Sequence, residues 1–99
     1  MTKLVVLYKE PKDPAHFGKY YVDNHAPLAS KLPGLKDYYC GPAKSPDGGE
    51  APYYWMFSAT FDSAQAITDS LGSDYGKKVL ADIPNYYDGT PTVLIVEDV

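Results

Sequence analysis

Two side chains stand out as able to move or hold a proton at neutral pH: His25, in the stretch Tyr20-Tyr-Val-Asp-Asn-His25-Ala-Pro-Leu28, and Tyr38, a few residues after Leu32-Pro33-Gly34. An imidazole titrates near neutrality, so His25 is a candidate general acid or base. A phenol is a weak acid that can donate to, or polarise, a substrate oxygen, and Tyr38 is one of ten tyrosines with that capacity. The plainer reading of His25 is a packed imidazole bonded to a backbone carbonyl. The plainer reading of Tyr38 is a cross-strand aromatic whose hydroxyl reaches water.

Other chemistries find little support. His16 and His25 are nine positions apart, which at about 3.6 residues per turn puts them on opposite sides of a helix, so they cannot share a metal there. No Cys, His or carboxylate spacing suits zinc, and no metal is expected. Cys40 is the single cysteine, so no internal disulfide can form; a reducing, cytoplasmic setting and an inert thiol are expected. No nucleophilic-Ser, phosphate-loop or dinucleotide motif occurs.

Charge narrows the ligand. The 99 residues carry 13 acidic and nine basic side chains, net -4, and every basic residue is Lys. A nucleic-acid partner wants the opposite balance. Without Arg there is no planar fork to grip a carboxylate or phosphate, so the expected ligand is mostly apolar. No apolar run approaches the roughly 20 residues of a membrane span, and no membrane is expected as a partner.

The elements that must position these residues can be read from breaks and periodicity. Lys3 to Lys9 is a first strand, apolar at nearly every position. Asp13-Pro14 starts a helix, and Phe17, Tyr21, His25, Leu28 and Leu32 recur at helical spacing down to Pro33-Gly34. Pro27 lies inside that stripe and should delete the bond to the Asp23 carbonyl, bending the helix near His25. Leu35 to Gly41 and Tyr53 to Phe61 read as two strands joined by a Pro- and Gly-rich loop. Asp62-Ser-Ala-Gln65 opens a second helix that Gly72 stops, Ser73 to Asp82 adds further turns, and Thr92 to Glu97 is the last strand. Asp82 is read as a helix-end residue and Lys77-Lys78 as a solvated face.

The order βαββαβ in a single domain, residues 1–99, is the split βαβ arrangement of an α+β ferredoxin-like sandwich with both helices on one face. Three strands are apolar on both faces, so the open face should pair with an identical sheet in a homodimer. Phe17, Tyr21, Trp55 and Phe57 are core by default, and become substrate-binding walls if a cavity lies between helix and sheet.

The stretch from Tyr20 to Leu28, followed by Lys31-Leu-Pro-Gly-Leu35 and Tyr38, resembles the signature region of the EthD (ethyl tert-butyl ether degradation protein) family. Phe61-Asp-Ser63 and Ala81-Asp-Ile-Pro-Asn85 are similar to it at the expected places. The resemblance implies a dimeric α+β barrel with a pocket between helix and sheet. It also implies a family His at His25 and a family Tyr at Tyr38, acting without a cofactor on an apolar or aromatic oxygenated molecule as isomerase, lyase or oxygenase. Active-site cysteines of the family's isomerase find no counterpart: Ala59 stands at one such position. The competing expectation is an accessory protein that binds or delivers a small molecule and leaves His25 structural.

Overall fold

The computed structural model describes residues 1–99. Strands β1 (Thr2–Tyr8), β2 (Asp37–Pro42), β3 (Trp55–Phe61) and β4 (Thr92–Glu97) form one sheet in the order β2-β3-β1-β4. Every neighbouring pair is antiparallel. Helices α1 (Pro14–Tyr20), α2 (Ala26–Ala29), α3 (Ala64–Gly72) and α4 (Asp74–Ala81) join them, giving the ferredoxin-like α+β fold expected from the element order. No helix is long and apolar enough to cross a membrane.

Alternation along the strands decides what is buried. Leu4 and Tyr8 of β1 pair with Ala59 and Trp55 of β3, and Val6 pairs with Phe57. These side chains point to the helices and, with Phe17, Tyr21, Phe61 and Ile67, form the core. The other face carries Val5, Leu7, Met56, Leu94 and Val96 with no helix over it. On β4 the helices do not close even their own side: Val93 and Ile95 are exposed like Leu94 and Val96.

The first helical stripe departs from the sequence expectation in form. Asp13 caps α1, its Oδ1 accepting from the His16 amide at 3.2 Å, and Pro14 follows at the first helical position. Between α1 and α2, however, Tyr21–His25 is a turn of π-helix, with the Ala26 amide bonded to the Tyr21 carbonyl. Pro27 has no N–H to give the Asp23 carbonyl, so the ladder slips by one residue to a five-residue repeat and widens the turn instead of breaking. His25 is the last residue of that turn. Gly34, at φ 82°, then reverses the chain toward β2 in a conformation that favours glycine.

The second helical region bends sharply at Ser73, which ends α3 and begins α4. Its hydroxyl donates to the Ser70 carbonyl at 2.6 Å and accepts from the Gly76 amide at 3.0 Å. The two helices are pressed so closely here that a Cβ on Gly76 would lie 2.1 Å from the Ser70 carbonyl oxygen. This corner carries α4 and the single 3₁₀ turn Ile83–Asn85 across the wall of the first helical stripe. Gly76→Ala is expected to destabilise the protein by about 2–3 kcal/mol through overpacking against backbone that cannot yield. Denaturant unfolding monitored by circular dichroism measures it.

Candidate functional site

Beneath the π turn lies a cavity of about 40 Å³. Its apolar wall comes from Leu4 and Val6 of β1, Phe57 of β3, Val79 and Leu80 of α4 and Val93 of β4. Leu80 and Val93 are about two-fifths exposed and form its rim. The ring of His25 lines it, as do Tyr8 and Tyr21. His25 is only 3% exposed, so its charge state is set by protein atoms.

The imidazole is held by Asp82, which follows α4 directly. His25 Nδ1 is 2.9 Å from Asp82 Oδ2. The other carboxylate oxygen accepts from the Tyr20 hydroxyl at 2.7 Å and from Asn85 Nδ2 at 2.9 Å. Burial pushes the Asp82 carboxyl upward, but the bonds from Tyr20, Asn85 and His25 together hold it below the usual carboxylate range. An ionised carboxylate is acceptor only, so Nδ1 carries the ring proton and Nε2 keeps a lone pair. Nε2 makes no hydrogen bond within the chain. Burial lowers the His25 pKa, and the Asp82 bond only partly offsets this, so the ring is neutral at pH 7. The result is a neutral base, fixed in one tautomer, on the wall of an apolar cavity.

The same 3₁₀ turn is tied down from the other side of α1, where His16 Nε2 donates to the Asn85 carbonyl at 2.9 Å. Tyr86, just beyond, packs its ring 4.7 Å from His25 and stacks on Tyr20. The helix-end reading of Asp82 therefore captures its place in the chain and misses its partner. The signal was in the sequence, as Asp82-Ile-Pro-Asn85, but its connection to His25 spans 57 residues and depends on the corner at Ser73.

Of the six residues singled out by sequence, the structure brings His25, Tyr21 and Phe57 to one cavity. Phe17, fully buried, packs edge-on to Tyr8 and Trp55 in the core away from the lining. Trp55 lies beside Tyr21, and its buried Nε1 has no hydrogen-bond partner. Tyr38 faces the helix side from the outermost strand, β2, where it stacks on Phe57 and is 39% exposed. It does not reach the cavity. Cys40 neighbours Phe57 in register, and burial pushes its thiol upward, away from reactivity. A larger concavity, about 420 Å³, sits where the 42–52 loop folds beside Leu7, Tyr39 and Met56. It holds no comparable pair of polar groups.

Comparison with known proteins gives a consistent result. A family model described as the EthD domain matches residues 9–90. The chain is 29% identical over 98 residues to an uncharacterized 11.0 kDa protein from the thcB-thcC intergenic region of Rhodococcus erythropolis, covering 99% of this chain and 95% of that one. A crystal structure of an EthD family protein from Bacillus halodurans is 32% identical with a TM-score of 0.89, covering 100% of this chain and 99% of its own. An EthD-like protein from Ralstonia eutropha is 27% identical with a TM-score of 0.77, over 97% and 89% of the two chains. More distant structures share the fold alone. One is a dimeric ferredoxin-like protein from Thermobifida fusca, 15% identical with a TM-score of 0.71 over 98% and 90% of the chains. Another is a hydroxynitrile lyase from Passiflora edulis, 16% identical with a TM-score of 0.70 over 98% and 93%.

The buried His25 has a measurable consequence. Its folded-state pKa lies below the unfolded value of about 6.5, so the unfolded chain takes up the proton first as pH falls. Stability contributed by the neutral ring is present above about pH 6.5 and declines as pH drops from there toward the folded pKa. Urea unfolding between pH 7.5 and 5 should show this decline, and His25→Gln should flatten it. The Asp82 carboxyl acts in a lower window, its stabilisation declining only as pH falls below its unfolded value of about 3.9.

Proposed function

Taking as premise that the chain belongs to the EthD family, we propose that it acts on a neutral, mostly apolar oxygenated small molecule held between helix and sheet, with His25 moving a proton. The observation that carries this reading is the His25–Asp82 pair at 2.9 Å on the wall of a cavity otherwise lined by hydrophobic side chains. Asp82 takes no proton itself. It keeps Nδ1 protonated and stabilises the imidazolium that forms when Nε2 accepts a proton from the substrate. Returning that proton to another atom gives an isomerisation, and losing a leaving group first gives a lyase reaction.

The cavity sets the remaining requirements. At about 40 Å³ it has the room of one water, so a substrate enters by outward displacement of the rim side chains Leu80 and Val93. Burial among hydrophobic groups with no Arg or Lys on the lining selects against a charged ligand. The protein works as a homodimer in this reading. The support is the open sheet face and the exposed Leu94, Val96 and Tyr39 on it, together with the dimeric state of the Thermobifida fusca protein that shares the fold. A cytoplasmic setting suits its single free thiol.

The test is hydrogen–deuterium exchange into neutral aromatic and cyclic ketones and lactones in deuterium oxide, followed by proton NMR, with the purified protein as catalyst. Exchange accelerated by the wild type should fall by about 100-fold or more in His25→Ala and by at least about tenfold in Asp82→Asn, which leaves the ring without its tautomer control. Full activity in His25→Ala would end the acid–base reading. Ligand affinity that survives in that variant, with no exchange by the wild type, would mark a binding and delivery protein. Light scattering should give the mass of two chains at micromolar concentration; one chain's mass would end the dimer reading.

A further inference from the structure

His25 is not the cavity's only polar group. Tyr8, at the end of β1, lines the same space and is 1% exposed. Its hydroxyl lies 2.7 Å from the hydroxyl of Tyr86, and either could donate. The pair holds two O–H protons, and the bond between them uses one. Apart from that bond neither hydroxyl donates to another group at hydrogen-bond geometry; the hydroxyl of Tyr21, close enough to act on that of Tyr8, is the competing acceptor for the second proton. A buried O–H with no acceptor costs about 1–3 kcal/mol. Where that proton sits is therefore decided by where an acceptor can come. Tyr86 packs among Tyr8, Phe17, Tyr20 and Tyr21, outside the cavity lining. Tyr8 is on the lining. When Tyr86 donates to Tyr8, the unused proton belongs to Tyr8 and can be met by an oxygen within the cavity.

We propose that Tyr8, supported by Tyr86, is the second functional residue of the site, whose O–H receives the carbonyl oxygen of a neutral ketone, ester or lactone while His25 Nε2 takes a proton from the adjacent carbon. This rests on reading the cavity as the ligand site. In the step, the C–H bond breaks with its proton going to Nε2. Its electron pair forms a carbon–carbon double bond, and the carbonyl π pair moves to oxygen, which the Tyr8 O–H stabilises. Reversal at the same or a conjugated carbon restores neutral His25, so no oxidant or reductant is consumed. Burial pushes the Tyr8 pKa up to about 12 and that of Tyr86 further, so both phenols keep their protons and act as donors. In this proposal a tyrosine on an inner strand takes the role that the resemblance implied for Tyr38.

The test uses two probes of nearly the same shape: acetophenone, which carries a carbonyl, and isopropylbenzene, which does not. Each is titrated into the intact protein, with binding followed through the methyl resonances of Val79 and Val93 and the ring resonance of His25. Wild type and Tyr86→Phe are expected to prefer acetophenone by about fivefold or more, the value of one hydrogen bond. Tyr8→Phe, which keeps the packed ring, should erase the preference and leave isopropylbenzene affinity unchanged. Equal affinities in wild type, or a preference that persists in Tyr8→Phe, would overturn the role of Tyr8 and leave the cavity reading standing. No perturbation of His25 by either probe would remove the cavity as a ligand site, and both proposals with it.

Discussion

One carboxylate ties the two helical regions of this molecule together. Asp82 receives the His25 ring, the Tyr20 hydroxyl and the Asn85 amide, and these come from the first helical stripe and from the turn after α4. Burying an imidazole without such a partner would leave an unsatisfied ring nitrogen in an apolar core, at a cost of about 1–3 kcal/mol. The partner must be anionic to fix the tautomer, and it must be bonded by other donors to stay anionic while partly buried. Tyr20 and Asn85 do that. Removing either lets burial move the carboxyl back up toward the usual carboxylate range.

The backbone around His25 is irregular for the same reason that the site exists. A regular helix through Pro27 would place an unpaired Asp23 carbonyl mid-helix; the π turn redistributes the mismatch over Tyr21–His25. The widened turn sets Tyr21 and His25 against the same core, with ring centroids 5.0 Å apart. The opposite wall is brought in by the corner at Ser73, where only glycine at position 76 fits. Two local backbone departures, one in each helical region, thus bring the imidazole and the carboxylate within hydrogen-bond reach.

Much of the architecture was legible in the residues themselves. Asp13-Pro14 marks a helix start, the alternation from Trp55 to Phe61 marks a two-faced strand, and apolar residues on both faces of β1 and β4 announce an open sheet. The long stripe Phe17, Tyr21, His25, Leu28, Leu32 correctly puts a histidine in the core. What periodicity cannot carry is the partner across the fold. Asp82 looks like any helix-end residue because its role depends on the corner at Ser73, which is a matter of packing. Tyr38 illustrates the converse: the sequence left its facing open, and although the structure puts it on the helix side, β2 is an edge strand, so strand order rather than facing keeps it from His25.

The tyrosine-rich, arginine-free composition fits this physical scheme. A site that relied on a cationic fork would need counter-charges in a cavity whose other walls are hydrocarbon, and desolvating those would cost several kcal/mol. Tyrosine avoids the problem, because its ring packs as core while its hydroxyl remains a donor that burial makes harder to ionise. Tyr8 and Tyr86 do this in the core, with their rings among Phe17 and Tyr21 and their hydroxyls bonded to each other. Such a wall discriminates by hydrogen bonding and shape. Under the proposed function a neutral oxygen would be accepted by such a wall and a formal charge refused, so the residues that complete the core would also set what it admits.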